Sequence, residues 1–483
     1  MVTNDATLLR IKHQVLYEVA KMAWEGRLEQ HREEIPYKML PGPKAQFRCC
    51  IYREREIIRE RVRLAEGLCP SGKDTKNIVQ VISSACEGCP IARYVVTDNC
   101  QKCMGKACQN SCNFGAISMG HDRAYIDPEK CKECGKCSQA CPYNAIADLT
   151  RPCKRSCPVD AITMDEDGIV VIDESKCIQC GACIHSCPFG AIGSKTFLVD
   201  VINLIKAGKK VVAMVAPATE GQYGPEITMA SWRTALKKIG FADMVEVALG
   251  GDLTAAAEAA EWAEAYKEGK KMTTSYCPAF INIIKQHYPM LLDNMSTTVS
   301  PMCAVSRMLK EEDPETITVF IGPCIAKKSE TLDLNIKDNA DYAMTLGEAH
   351  AMMVAKGVDL EPEENTLQQG SVFGKRFGNG GGVTAAVLEC LKETGENADI
   401  NVMKCNGAAE CKKALMLLKI GKLPDDFVEG MVCVGGCVGG PSKHKSETEA
   451  KKARDLLIGQ ADKREVHENL KMQGAEQVVM HRH

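Results

Sequence analysis

The sequence predicts a multidomain α+β/α/β protein in which small metal-stapled modules precede an α/β body. Three observations predict it. The 483 residues include 27 cysteines, and Cys131, Cys134, Cys137 and Cys141 form C-x2-C-x2-C-x3-C-P, a pattern repeated by Cys177, Cys180, Cys183 and Cys187. From about residue 196, apolar runs such as VVAMVAP alternate with helical patterns such as WRTALKKIG, the order of a parallel sheet with crossover helices. The chain is also long enough for two or three domains.

Residues 1–85 read as a helical N-terminal region. YEVAKMAWEGRLEQHREEI and IYREREIIRERVRLAEGL place apolar residues at helical spacing among alternating charges. That suits a docking or cap region, interrupted at Pro41, Gly42 and Pro43. Residues 86–195 read as a tandem ferredoxin-type 4Fe-4S domain. Four half-units end alike, Cys112-NFGAI, Cys141-PYNAI, Cys157-PVDAI and Cys187-PFGAI, the two-fold repeat of a bacterial ferredoxin occurring twice. Residues 196–445 form the α/β body, with VVAMVAP, MVEVALG and ITVFIGP as strands and TAAAEAAEWAEAYKEG as a helix. Residues 446–483 are charged and helical and read as a surface extension.

Sixty basic residues against 63 acidic ones leave a net charge of −3, which calls for neither nucleic acid nor an anionic membrane as partner. No run of about 18 apolar residues marks a membrane-spanning helix. MVTNDATLLRIKHQ lacks the pattern of an export signal, so a cytoplasmic protein is expected. In a reducing compartment such thiols bind metal rather than pair as disulfides. The cysteine load points to an anaerobic or microaerobic setting, because exposed cubanes are fragile to oxidation.

In this spacing three thiolates wrap one cubane, and the cysteine before proline reaches the neighbouring one. Cys100, Cys103 and Cys108 therefore take Cys141 as fourth ligand. Cys131, Cys134 and Cys137 take Cys112, and Cys177, Cys180 and Cys183 take Cys157. Cys153 and Cys187 are left with half a site, because ADLTRP stands where a C-x2-C is expected. Either that site is vestigial, or Cys86 and Cys89 fold back to complete it, or those two join Cys69 and Cys49 or Cys50 in a separate N-terminal site. Three or four cubanes follow.

Four further cysteines sit beside glycine or proline: Cys277 in TTSYCPAF, Cys324 in FIGPCIAKKSE, and Cys433 and Cys437 in EGMVCVGGCVGGPSKH. Glycine permits close backbone approach and offers N–H groups to cluster sulfurs, so the four suit one buried cubane. These segments resemble the three signature motifs of iron-only (FeFe) hydrogenases, a resemblance that spans roughly residues 96–445. It implies that Cys277, Cys324, Cys433 and Cys437 hold the cubane of an H-cluster. Cys437 would bridge to a diiron unit bearing CO, cyanide and a bridging dithiolate amine. It further implies Lys327 as donor to a cyanide, Ala216, Pro217 and Ala218 as backbone lining of the diiron pocket, and Phe377 packed against it. The activity implied is reversible 2 H+ + 2 e− ⇌ H2, with electrons passing through the 4Fe-4S clusters to or from a partner such as a ferredoxin. Maturation proteins that build the diiron unit are implied as well.

The chain departs from the highly active members of that family. Tyr276 replaces their proton-relaying cysteine, and a phenol of pKa about 10 relays less well near neutral pH than a thiol near 8.5. Gly322 opens the second motif, and Met302 stands where a glutamine is common. Glu258, Glu261, Ser296 and Glu330 match proton-path positions, ordinary helix-surface acids being the plain alternative for the first two. Cys303 is near enough in sequence to substitute as a relay, a buried structural cysteine being the plainer reading. Two other functions stay open: a hydrogen or redox sensor with slow turnover, and a non-catalytic protein resembling hydrogenase-like cluster-assembly factors. Cys49, Cys50, Cys69, Cys303, Cys390, Cys405 and Cys411 take no settled place.

Overall fold

In the computed structural model, Asp243–Glu246, Val211–Val215, Ile317–Ile321 and Tyr342–Met344 lie side by side in that order, all parallel. The structure describes residues 6–70, 72, 75–86, 89, 92–475 and 478–482. Val211–Val215 is buried at every position, as a parallel sheet covered on both faces requires. A second parallel sheet joins Met272–Thr273, Phe427–Met431 and Val402–Asn406. The two share apolar core, with Val212 and Met214 clustered with Phe427 and Met431. Ala216 follows the first of these strands directly, Cys324 comes just after Ile321, Cys277 just after Thr273 and Cys433 just after Met431. All four segments leave the carboxyl ends of parallel strands, where open α/β sheets place their sites.

The body's helices start and stop where local chemistry directs. Met229–Ile239 begins at Thr228, whose side chain and backbone make a capping box with Ser231, and ends at Gly240 with φ +112°, a conformation glycine adopts without strain. In Val247–Lys267, a Cβ at Gly250 would stand 2.1 Å from Pro301 O. Glycine there lets the helix Pro301–Glu312 pack backbone to backbone against it.

The N-terminal helices are not a separate cap. Val15, Val19 and Met22 of Ala6–Glu25, with Ile58 and Val62 of Ile51–Ala65, share one core with Val211, Ala213 and Val319 of the sheet. Each fully buried side chain of this kind contributes about 1.5–3 kcal/mol, so these helices are a wall of the body.

The iron–sulfur units are nested, which corrects the tandem reading. Tyr94–Val96 pairs antiparallel with Ile146–Asp148 and closes the first unit. Val79–Val81 pairs antiparallel with Ile192–Ser194 and closes the second. The second unit therefore begins before residue 86, and the whole first unit is inserted between its opening strand and Cys153. Each unit carries one inner hairpin, Ile117–Met119 with Ala124–Ile126 and Ile162–Met164 with Val170–Ile172. The repeated half-unit endings have a backbone reason: Gly115, Asn144, Asp160 and Gly190, each just before the alanine, all have positive φ. Gly, Asn and Asp tolerate that region best. The turn aims the next amide at the cluster cysteine, with Ala145, Ala161 and Ala191 N–H donating to Cys141, Cys157 and Cys187 Sγ at 3.3–3.4 Å.

The C-terminal segment is helical over Glu447–Gly459 and Val466–Gln473, but it is not a surface appendage. Arg454 and Asn469 are buried, and Thr298 bridges to His481. The charged pattern hid this, because the buried face is narrow and includes an arginine. No helix among the described residues is long and apolar enough to cross a membrane.

Candidate metal centre and its polar surround

Cys277, Cys324, Cys433 and Cys437 line one cavity of about 80 Å3, together with Ala216, Pro217 and Ala218. Each cysteine is set by its strand end. Cys277 caps the helix Pro278–His287, its carbonyl accepting the Phe280 and Ile281 amides. Between Cys433 and Cys437 the chain turns through Gly435 and Gly436 at φ +79° and +76°. A Cβ at Gly436 would stand 2.5 Å from Gly378 O, so the turn demands glycine.

Burial raises the pKa of all four cysteines, and neighbouring thiols add to it at Cys324, Cys433 and Cys437. Cys324 is pushed up to about 11 and Cys437 to about 12, with Cys277 contributing to both. Cys433 is raised well above the ordinary thiol value by burial, Cys324 and Cys277. Four such thiols cannot ionise together without a cation among them, which is the state that metal ligation supplies. Among the described residues no three His, Cys, Asp or Glu side chains gather as a single-ion site. A cubane differs in that each thiolate binds a different iron, so its ligands stand further apart. The donor set and the cavity fit a cluster.

The nested units gather their thiols in the same way. Burial raises Cys108, with Cys141 and Cys100 adding to it, and raises Cys137, with Cys131 and Cys112 adding. Cys103 and Cys134 lie in the same two loops. Cys180 is pushed up to about 12 by burial, then by Cys177 and Cys157, and Cys183 faces the same three thiols. Cys153 is raised to about 11 by burial and Cys187, with Cys86 and Cys89 close behind. Of the three readings open for Cys86 and Cys89, this geometry favours completion of the Cys153 and Cys187 site. Cys49 and Cys50 are exposed.

Sequence comparison bears on the same segments. Residues 209–441 match the family described as iron only hydrogenase large subunit, C-terminal domain. Residues 149–191 match a 4Fe-4S dicluster domain and residues 124–147 a 4Fe-4S binding domain. The periplasmic iron hydrogenase large subunit of Nitratidesulfovibrio vulgaris is 32% identical over 370 residues, 65% of this chain and 85% of that protein. The chain belongs to the iron-only hydrogenase family. Iron hydrogenase 1 of Clostridium pasteurianum is 28% identical over 71% of this chain and 70% of its own length. A protein of Brugia malayi named a probable cytosolic Fe-S cluster assembly factor is 23% identical over 45% of this chain and 59% of its own. This hydrogenase-like chain is thus an iron–sulfur protein with ferredoxin-type modules before its family domain.

Around the cavity the polar groups fall into two separate sets. Lys327 is 8% exposed and lines it. Its Nζ donates to Glu330 Oε2 at 2.5 Å, Ser300 Oγ at 2.8 Å and Tyr276 O at 3.4 Å. Burial alone lowers its pKa, but Glu330 and Cys303 outweigh that and raise it. All three donors are engaged, and the long bond to Tyr276 O is the one most readily exchanged for another acceptor. Glu330 Oε1 lies 3.6 Å from Cys303 Sγ, and Cys303 lies 2.9 Å from Asn339 Oδ1. The second set holds Glu258, Glu261 and Ser296. Ser296 Oγ donates to Glu261 at 2.5 Å, and His481 lies 3.1 Å from the same carboxylate.

Glu258 is fully buried, and neither carboxyl oxygen has a hydrogen-bond partner among the described residues. Burial, then Glu261, push its pKa well up, and its full burial sets aside the helix-surface reading. The Tyr276 hydroxyl also lacks a partner. Its ring meets Phe377 edge-on at 5.4 Å, and burial followed by Glu429 raises its pKa well above the ordinary phenol. Met302 and Phe377 complete the apolar wall. Sequence reasoning missed Arg454, whose Nε donates to Pro217 O at 3.1 Å and whose other nitrogens reach Asn379 Oδ1 and Lys375 O. A single arginine in a charged helix gives no signal of that.

Proposed function

We propose that this chain catalyses reversible H2 oxidation and proton reduction at an H-cluster held by Cys277, Cys324, Cys433 and Cys437. Four more cubanes relay electrons to or from a partner such as a ferredoxin. The observation that carries the reading is one cavity, at the carboxyl ends of parallel strands, that joins those four cysteines with Ala216, Pro217 and Lys327. The bound group would supply the splitting and formation of H2. Cys437 would be the residue joining the diiron unit to the cubane, and maturation proteins would deliver that unit. The apolar wall of Met302 and Phe377 keeps bulk water out, and Lys327 is the charged donor toward the diiron unit's anionic ligands. The cluster ligands are those the spacing gives, with Cys86, Cys89, Cys153 and Cys187 as the fourth set. A cytoplasmic, anaerobic setting suits so many cubanes.

One observation favours slow turnover, as in a sensor. Among the described residues the Tyr276 hydroxyl has no hydrogen-bond partner, whereas the connected polar path from the cavity wall runs from Lys327 to Glu330, Cys303 and Asn339. Hydrogen–deuterium exchange and methyl viologen reduction under H2, with the matured protein, test the function. Both activities are expected, with loss of both in Cys437→Ser. Absence of H2 chemistry in a protein fully loaded with its diiron unit would leave only an electron carrier.

A further inference from the structure

A second cavity, about 800 Å3 in volume, opens between the Ala6–Glu25 helix, the Leu346–Ala355 helix and the loop after Cys437. No cysteine lines it, so it is not a cluster site. Its size lies within the roughly 300–1,000 Å3 of small-molecule pockets. Leu9, Leu16, Ile184, Ile325 and Leu346 give it apolar walls, and Arg10, Lys12, Arg61 and Lys443 give it four cationic groups.

These charges lack counterparts. Among the described residues the only carboxylate lining the cavity, Glu348, is 2.5 Å from Lys328 Nζ, and nearby Asp359 pairs with His350 at 3.2 Å. Arg10, Lys12 and Lys443 make no side-chain hydrogen bond or ion pair among the described residues. Among the described residues Arg61, itself buried, donates once, to Gly190 O at 2.6 Å, while its Nε has no partner. His185 Nε2 is equally buried and unpartnered. Lys12 faces Arg61, and Lys12 and Lys443 both face His185, so the cations gather at one end. Like charges gathered in a half-enclosed space repel and are costly without an anion. Cys187 faces Lys12 and Arg61, and a cluster bound there would balance those two. It accounts neither for Arg10 and Lys443 nor for the free volume.

We propose that this cavity binds a phosphorylated small molecule with an apolar or aromatic body, its phosphate held by Lys12, Arg61 and Lys443. A phosphate monoester carries close to two charges at neutral pH and matches several cations at once, while the body fills the apolar end. Calorimetric titration of the iron–sulfur-loaded full chain with flavin mononucleotide and with adenosine monophosphate tests this. One-to-one binding of at least one of them is expected, with a dissociation constant below about 1 mM. The phosphate-free riboflavin or adenosine should bind about tenfold more weakly or worse. Lys443→Gln alone should weaken binding severalfold, and Lys12→Gln with Lys443→Gln by about tenfold or more, at unchanged iron content. The proposal is overturned if neither organophosphate binds, if the phosphate-free forms bind equally well, or if both variants keep full affinity. In each case Lys12 and Arg61 serve only the cluster beside Cys187.

Discussion

Tyr276 is buried, lines the cysteine cavity and has no partner for its hydroxyl among the described residues. Burial and Glu429 raise its pKa, so it is a poorer proton relay near neutral pH than a thiol. Tyr276→Cys should raise H2 turnover by about 10- to 100-fold, within the usual range for one general acid–base group. Assay of equally matured proteins checks this, and unchanged turnover would remove Tyr276 as the bottleneck. Glu258 gives a second prediction, on stability. Its folded pKa is raised by burial and Glu261, so the folded protein keeps a proton that the unfolded chain loses above about pH 4.3. Stability from this group is full below that pH and declines as pH rises toward the folded pKa. Glu258→Gln should flatten the fall in thermal midpoint between about pH 5.5 and pH 8. Scanning calorimetry at the two pH values tests it, and parallel slopes for both proteins contradict it. The sequence marked Glu258 by its place in GGDLTAAAEAAEW, but its burial comes from packing against segments far along the chain, which helical periodicity does not report.

Among the elements, the nested pairing of Val79–Val81 with Ile192–Ser194 explains why no C-x2-C stands just before Cys153. In the proposed ligand set that pair is Cys86 and Cys89, separated from Cys153 by the entire first unit. Cys86→Ser and Cys153→Ser should therefore each lose the same cluster, about four irons, with identical changes in the paramagnetic resonance spectrum. Loss of different signals would separate the two pairs. Spacing could count the ligands of each cubane but not reveal the insertion, because strands of three residues carry too little pattern to announce their partner. The helix Glu447–Gly459 makes the same point. Arg454 is 1% exposed and ties the loop of Pro217 to the segment of Lys375 and Asn379. Arg454→Met takes a donor from Lys375 O, Asn379 Oδ1 and Pro217 O, the last of which keeps the Glu220 amide, at about 1–3 kcal/mol for each group left unsatisfied. It should lower the unfolding midpoint in denaturant and shift the vibrations of any ligand set held beside Pro217. A variant with wild-type midpoint and spectrum would make this helix the appendage its charges suggest.

For the molecule as a whole, the α/β body and its site were legible because strand ends, glycines and cysteines coincide in sequence. VVAMVAP, TTSYCPAF, FIGPC and EGMVC each run from a strand straight into a cavity-lining residue. The N-terminal wall and the C-terminal clamp were not legible, since both join the core through contacts between residues far apart in the chain. The cationic cavity was equally hidden, its charges coming from the first helix, the Ile51–Ala65 helix and the loop after the last cysteine. The account as a whole stands on a diiron group beside Cys437. Infrared spectroscopy of the matured, iron-loaded protein tests that most directly. CO and cyanide stretching bands should be present, change between H2 and inert gas, and disappear in Cys437→Ser. A fully loaded protein with no such bands would contradict it.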